Sequence, residues 1–98
     1  MPVLEIVFTR KADKDEIAIY QYISETFGQV YANKFRSKLI DLFRNLSNQP
    51  YIGRPAKNDT SVRVIILNKQ NKIVYKVAER KIVIIRILNT RIDISENF

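Results

Sequence analysis

The side chains that most enzymes use for proton transfer and metal binding are missing from this sequence. Its 98 residues include no histidine and no cysteine. This composition excludes Ser-His-Asp catalysis, thiolate nucleophiles, disulfides and the common zinc sites. The two glycines, Gly28 and Gly53, form no glycine-rich phosphate loop, and no carboxylates are paired at metal-ligand spacing. We therefore expect no metal and no cofactor, so any catalyst would have to use Lys, Arg, Tyr, Asp or Glu.

Basic side chains of the second half are the strongest functional candidates. Of the net charge of +7, residues 1–50 contribute +1 and residues 51–98 contribute +6. This imbalance favours a nucleic acid, a nucleoprotein or an acidic protein as partner, although a basic surface can also serve solubility alone. The residues that we expect to contact a target are Arg54, Lys57, Arg63, Lys72, Lys76, Arg86 and Arg91.

Arg86 is the sharpest case among these residues. Strand alternation places it in one row with Ile82, Ile84 and Leu88, which are all apolar. A buried guanidinium without a partner is too costly to persist. We therefore expect Arg86 either to reach water or pair with Asp93, or to meet phosphate or an acidic partner at a concave basic face.

Other polar side chains in apolar patterns have simpler interpretations. Lys72 and Lys76 alternate with apolar residues and should line one face of a strand, where charged side chains usually meet solvent. Tyr20 and Tyr31 lie on apolar helix stripes and are predicted to belong to the core. Tyr75 is predicted to face the core with its hydroxyl at an edge.

The spacing of apolar residues predicts the elements that position these side chains. Residues 4–8 are typical of a strand, and Thr9 is a candidate helix cap. Two amphipathic helices follow, separated by Gly28 as a left-handed helix end and stopped before Pro50. After a loop over residues 50–61, strands are predicted at 62–67, 72–78 and 81–88, the last in a central position. The helix stripes are Ala12, Glu16, Ile19, Tyr20, Ile23 and Phe27, then Tyr31, Phe35, Leu39, Leu42 and Leu46.

This β-α-α-β-β-β order predicts an α+β fold in which a helical hairpin packs on one face of a mainly antiparallel sheet. We expect a single domain over residues 1–98, because the chain is long enough for only one core. The sequence starts without a signal peptide and has no apolar run long enough to span a bilayer. Together with the lack of cysteine, this favours a cytoplasmic protein without membrane contact.

Four segments together make the sequence resemble the RelE/ParE toxin superfamily, and its ParE branch in particular. They are Ala12 with the helix segment Ile19-Tyr20-Gln21-Tyr22-Ile23, the loop Gly53-Arg54-Pro55, the strand Lys72-Ile73-Val74-Tyr75-Lys76-Val77, and the ending Ile85-Arg86-Ile87-Leu88-Asn89-Thr90-Arg91-Ile92-Asp93. The resemblance covers nearly the whole chain. It implies the RelE/ParE toxin fold and the toxin of a type II toxin–antitoxin (plasmid stabilisation) module.

The resemblance also implies partners. A cognate antitoxin should form a hetero-oligomer with the toxin, its acidic amphipathic tail covering the helical hairpin and neutralising the basic sheet face. ParE-like members of the superfamily inhibit DNA gyrase by binding. RelE-like members cleave messenger RNA on the ribosome, and a further possibility is a member that has lost toxicity and only binds its partner.

The resemblance to RelE-like enzymes can be followed residue by residue. Their basic positions correspond to Arg63 and Lys72, with Arg91 near another, and Arg86 would add electrostatic stabilisation. Their C-terminal tyrosine, however, corresponds to Phe98, which has no ionisable oxygen, and the histidine variant is impossible here. We therefore expect a gyrase inhibitor rather than an enzyme, with a ribosome-dependent endoribonuclease as the alternative.

Overall fold

The secondary structure follows the predicted order, with one additional short strand. The computed structural model describes residues 4–91. Its elements are β1 (Glu5–Phe8), α1 (Arg10–Phe27), α2 (Gln29–Asn48), β2 (Arg54–Pro55), β3 (Val62–Ile66), β4 (Asn71–Ala78) and β5 (Lys81–Asn89). β2 lies in the segment that was predicted to be loop throughout. None of the helices within residues 4–91 is long and apolar enough to cross a membrane.

All five of these strands form one sheet in the order β1-β5-β4-β3-β2. β1 runs parallel to β5, and the three other pairs are antiparallel. β5 therefore lies inside the sheet, between β1 and β4. This confirms the interior position that its run of Val and Ile predicted, because a strand covered on both faces needs apolar side chains on both.

The helices pack on one face of the sheet and enclose the main core. That core combines helix and sheet side chains, which are Ala12, Phe35, Leu39, Leu46, Ile73, Tyr75, Ile82, Ile84 and Ile87. A smaller cluster lies on the opposite face of the sheet and comprises Ala56, Val62, Val74 and Leu88. The predicted two-layer α+β fold is thus confirmed.

The side-chain hydroxyl of Thr9 and the backbone conformation of Gly28 fix the two ends of α1. The Thr9 hydroxyl accepts a hydrogen bond from the Ala12 N–H at 3.1 Å, as the predicted cap requires, and donates to the Ile85 carbonyl at 2.8 Å. Gly28 ends α1, but its backbone angles of φ 100° and ψ 168° differ from the predicted left-handed helical values. The reason is that α2 begins at the next residue, so the chain must turn sharply.

The predicted helix stripes are correct near the sheet and wrong at the tip of the hairpin. Tyr31 was predicted to belong to the core and Phe27 to the apolar stripe of α1, but the two side chains are 57% and 60% exposed. At the tip these rings contact each other rather than the sheet. The Phe27 centroid lies 6.2 Å from that of Tyr22 and 6.4 Å from that of Tyr31. We call Tyr22, Phe27, Val30 and Tyr31 the tip cluster.

Glu16, the one charged residue in the stripe of α1, is explained by a contact between the helices. Its carboxylate accepts a hydrogen bond from Arg36 Nε of α2 at 3.1 Å. The Arg36 guanidinium lies 3.5 Å from the centre of the Tyr20 ring. Tyr20 is therefore half-buried beneath a cation rather than enclosed in the core.

Candidate interaction surface

A buried tyrosine of β4 holds the segment that precedes β2. Tyr75 is fully buried, and its hydroxyl donates to the Pro50 carbonyl and accepts from the Gly53 N–H, both at 2.9 Å. Burial raises the pKa of this phenol, so it stays neutral and can donate. A Cβ atom on Gly53 would come within 2.6 Å of the Tyr75 hydroxyl oxygen. Glycine is therefore required here for close approach.

Arg63 of β3 holds the same segment from its other side. Its Nη1 donates to the carbonyl oxygens of Tyr51 at 3.1 Å and Gly53 at 2.7 Å. Arg63 pairs with Tyr75 across the antiparallel strands, so both side chains emerge on the face that carries the helices. We call residues 50–53, fixed in this way by Arg63 and Tyr75, the anchored loop.

The opposite face of the sheet brings three of the predicted basic residues together. Arg54 pairs with Val64, and Val64 with Val74, which lies between Lys72 and Lys76 on β4. Strand spacing separates the Cα atoms of Arg54 and Val74 by about 10 Å, and those of the two lysines by about 13 Å. Lys76 and Arg54 are exposed, whereas Lys72 is buried with its Nζ 3.5 Å from the Thr90 carbonyl.

Arg86 pairs with a carboxylate of α1. Its Nε and Nη2 donate to the two oxygens of Asp15 at 2.7 and 3.0 Å, and the Ile87 N–H donates to the same carboxylate at 3.0 Å. The hydrogen bonds from the Arg86 side chain to Asp15 raise the pKa of Arg86. Asp93, the partner that the sequence suggested, lies outside the described residues. The guanidinium thus has the carboxylate partner that a half-buried position demands.

A β-bulge explains why the predicted row around Arg86 is wrong. Tyr75 pairs with Ile84 and Val74 with Arg86, so Ile85 faces no partner on β4. The extra residue shifts the alternation, and Leu88 joins the small cluster on the face away from Ile82 and Ile84. A single-strand pattern cannot reveal such a shift, because it arises from the register with the neighbouring strand.

The remaining predicted contact residues, Lys57 and Arg91, are exposed outside the strands. Lys57 lies in the turn before β3. Within that turn, Asp59 accepts hydrogen bonds from the hydroxyl and the N–H of Ser61, which lower the pKa of this exposed carboxyl group. The turn is therefore ordered by its own polar groups, and it holds Lys57 beside β2.

Comparison with known proteins identifies the family. The model of the ParE toxin of the type II toxin–antitoxin system, parDE, matches residues 6–94. The chain belongs to this ParE toxin family. The predicted membership of the RelE/ParE superfamily, on its ParE side, is thereby confirmed. No curated protein matches the sequence significantly.

Solved structures share the ParE toxin fold over most of their length. The chromosomal ParDE toxin–antitoxin system from P. aeruginosa is 26% identical, with a TM-score of 0.74 over 89% of this chain and 96% of that chain. The YoeB/ParE toxin from Agrobacterium tumefaciens is 19% identical, with a TM-score of 0.66 over 88% and 98%. The E. coli DinJ–YafQ toxin–antitoxin complex is 15% identical, with a TM-score of 0.60 over 88% and 91%.

In this ParE toxin, the residues of the nuclease alternative do not converge. Arg63 and Lys72 emerge on opposite faces of the sheet. Arg86 is bonded to Asp15 beside α1. Arg91 is exposed beyond β5, and Phe98 lies outside the described residues. Residues 4–91 therefore offer no point at which a scissile phosphate would meet all of these cations.

Sequence reasoning missed two structural features of this surface. The sequence suggested Asp93 and not Asp15 as the partner of Arg86, although Asp15 bonds this arginine across 71 positions. Tyr51 and Ile52 of the anchored loop were not among the predicted contact residues, yet they are 63% and 45% exposed. The signals available for this segment were residues such as Pro50 and Gly53, which predicted a loop but not the buried hydroxyl that requires the glycine.

Proposed function

We propose that this ParE toxin inhibits DNA gyrase in the cytoplasm by binding to it, without catalysing a reaction. Two observations carry the proposal: Arg63 and Lys72 lie on opposite faces of the sheet, and the guanidinium of Arg86 is engaged by Asp15. Stabilising a phosphoryl transition state requires several donors aimed at one point, whereas inhibition by binding requires only a complementary surface. The anchored loop and the exposed cations beside it supply a surface of that kind.

The predicted basic residues then divide into two groups. Arg54, Lys57, Lys76 and Arg91 are exposed, and we assign them to contact with the target. Each of the other three, Arg63, Lys72 and Arg86, already donates a hydrogen bond within the chain. We therefore assign these three residues to stabilising the surface rather than to contacting the target.

An antitoxin is the second partner in this proposal. The P. aeruginosa and E. coli relatives are toxin–antitoxin systems. The tip cluster exposes four large apolar side chains, and the Lys34 ammonium lies 5.4 Å from the centre of the Tyr31 ring. An acidic amphipathic segment would cover the apolar side chains and pair with the lysine. A net charge of +7 favours the same acidic partner.

Supercoiling by purified gyrase tests the proposed target. Added toxin should inhibit the reaction, and the Lys76→Glu variant should inhibit about tenfold less well because it places a negative charge on the contact face. Lys38→Glu is the matched control, since this exposed lysine lies on α2 and the charge change is the same. Full gyrase activity at saturating toxin, with cleavage of messenger RNA at the ribosomal A site, would instead establish the endoribonuclease.

A further inference from the structure

Among the exposed large apolar side chains of residues 4–91, those of Tyr51 and Ile52 are the two that lie in a loop, and the backbone of that loop is nevertheless fixed. The two residues are consecutive and lie in the anchored loop between α2 and β2. The Ile52 N–H donates to the Gln49 carbonyl at 3.3 Å at the end of α2. Both side chains therefore project from a segment that is tied to a helix on one side and to the sheet on the other.

Two side chains of the sheet make four hydrogen bonds to this short segment. Tyr75 bonds the Pro50 carbonyl and the Gly53 N–H, and Arg63 bonds the carbonyls of Tyr51 and Gly53. Fixing a loop before binding lowers the conformational entropy that is lost when it meets a partner. Exposed aromatic side chains on such a segment are typical of residues that dominate a protein interface.

The charges around the pair indicate the chemistry of its partner. The Arg63 guanidinium lies 5.0 Å from the centre of the Tyr51 ring. Exposed Arg54 follows the loop directly, and exposed Lys57 comes three residues later. Between residues 49 and 61, Asp59 is the only acidic residue. An apolar centre with a basic rim complements an apolar patch that is bordered by carboxylates.

A protein surface fits the loop better than a nucleic acid does. Arg63 gives its Nη1 to two backbone carbonyls of the loop, and its guanidinium lies near the Tyr51 ring rather than in the open. Proteins that bind single-stranded nucleic acid stack the bases on aromatic rings and line the path of the phosphate backbone with cations. Ile52 is aliphatic and offers no flat ring on which a base could stack.

We infer that Tyr51 and Ile52 form the central contact of this toxin with an acidic, apolar-centred surface of its protein target, and that Arg63 is a positioning residue for that contact. The inference rests on the proposed function in one respect, namely that the toxin acts by binding a protein. It adds the location of the contact and the chemical character of the surface that receives it.

Two matched Ile→Ser variants test the location of the contact, with gyrase as the probe. Ile52→Ser should raise the inhibitory concentration at least about tenfold and relieve growth arrest on induced expression. Ile40→Ser, which changes an isoleucine of similar exposure on α2, should leave both readouts unchanged. Tyr51→Ala should act like Ile52→Ser, and all three proteins should melt within about 3 °C of the parent because these side chains are exposed. Equal inhibition by Ile52→Ser and Ile40→Ser would overturn the assignment.

Two substitutions of opposite charge at Ile52 test whether the target surface is acidic. Ile52→Glu and Ile52→Lys both remove the apolar contact, but the glutamate variant should inhibit severalfold less well than the lysine variant. Arg63→Lys keeps the positive charge and loses the planar donor geometry, so it should weaken inhibition as Tyr51→Ala does. Combining Arg63→Lys with Tyr51→Ala should then add little further loss, because both changes act on one contact.

Growth arrest separates this inference from the choice of gyrase as target. Arrest without gyrase inhibition would refute the proposed function, and relief of that arrest by Ile52→Ser would still support the contact. Arrest that accompanies messenger RNA cleavage, or arrest that persists in Ile52→Ser and Tyr51→Ala, would refute the contact. A parent chain that neither arrests growth nor inhibits gyrase would refute both.

Discussion

At the scale of single residues, the two glycines illustrate different requirements. Gly53 is needed because a Cβ atom would collide with the buried Tyr75 hydroxyl, while its φ is not positive. Gly28 is needed because its φ is +100°, while a Cβ atom there would meet nothing within 4 Å. One glycine thus answers a packing constraint and the other a backbone constraint, although the sequence presents both simply as breaks between elements.

We predict that Gly53→Ala lowers the free energy of unfolding by about 1–3 kcal/mol, since the added methyl group overpacks a site that has no free volume. Gly28→Ala should cost about 1–3 kcal/mol through backbone strain alone, because φ +100° with ψ 168° is a conformation that essentially only glycine adopts. Urea unfolding at neutral pH measures both losses. In a Tyr75→Phe background, which lacks the closest clashing atom, the cost of Gly53→Ala should fall and that of Gly28→Ala should not. The same reduction at both glycines would contradict the packing argument.

Tyr75 also predicts a dependence of stability on alkaline pH. Because burial raises its pKa in the folded state, the unfolded chain loses this proton first, near pH 10. The stability linked to the neutral phenol is therefore present below about pH 10 and declines as the pH rises further through the raised pKa. Unfolding free energies measured between about pH 8 and 11 should fall less steeply for Tyr75→Phe than for the parent. Parallel curves for the two proteins would exclude this role.

At the scale of elements, helix and strand positions could be predicted because each depends on a local pattern. The cap at Thr9, the stop before Pro50 and the interior position of β5 follow from such patterns. The bulge opposite Tyr75 and the Asp15–Arg86 pair could not be predicted, because they depend on register and on contacts across 71 positions. The helix pattern likewise predicted Tyr31 as buried, since a stripe does not show where the sheet beneath it ends.

Asp15 should be the residue that most firmly joins α1 to β5 by a polar contact. Asp15→Asn removes a charge-assisted, two-point pair whose side chains are only 16% and 25% exposed, so we expect a loss of about 1–3 kcal/mol in unfolding free energy. Asp41→Asn is the matched control, because its partner Arg44 lies 3.9 Å away and both side chains are more than 70% exposed. That loss should stay below about 0.5 kcal/mol. Equal losses would show that the Arg86 pair contributes no more than a surface contact.

At the scale of the whole molecule, the two groups of neighbouring exposed apolar side chains, the tip cluster and the pair in the anchored loop, lie far apart. The tip cluster lies where α1 meets α2, and the anchored loop lies where α2 passes into the edge strand β2. α2 has 20 residues, so about 30 Å of helix separates the two sites. A toxin that must bind both an inhibitor and a target benefits from this separation, because each surface can be matched to one partner.

The tip cluster gives the last prediction, which concerns the antitoxin. Phe27 contacts both Tyr22 and Tyr31, so Phe27→Ser removes the centre of the cluster and should weaken antitoxin binding about tenfold or more. Ile66→Ser is the control, because this isoleucine is similarly exposed but lies on β3, on the sheet face away from the helices. Titration calorimetry with the protein encoded beside the toxin gene measures both affinities. Unchanged affinity for Phe27→Ser would place the antitoxin elsewhere, and the exposed rings at the hairpin tip would then need another partner to account for them.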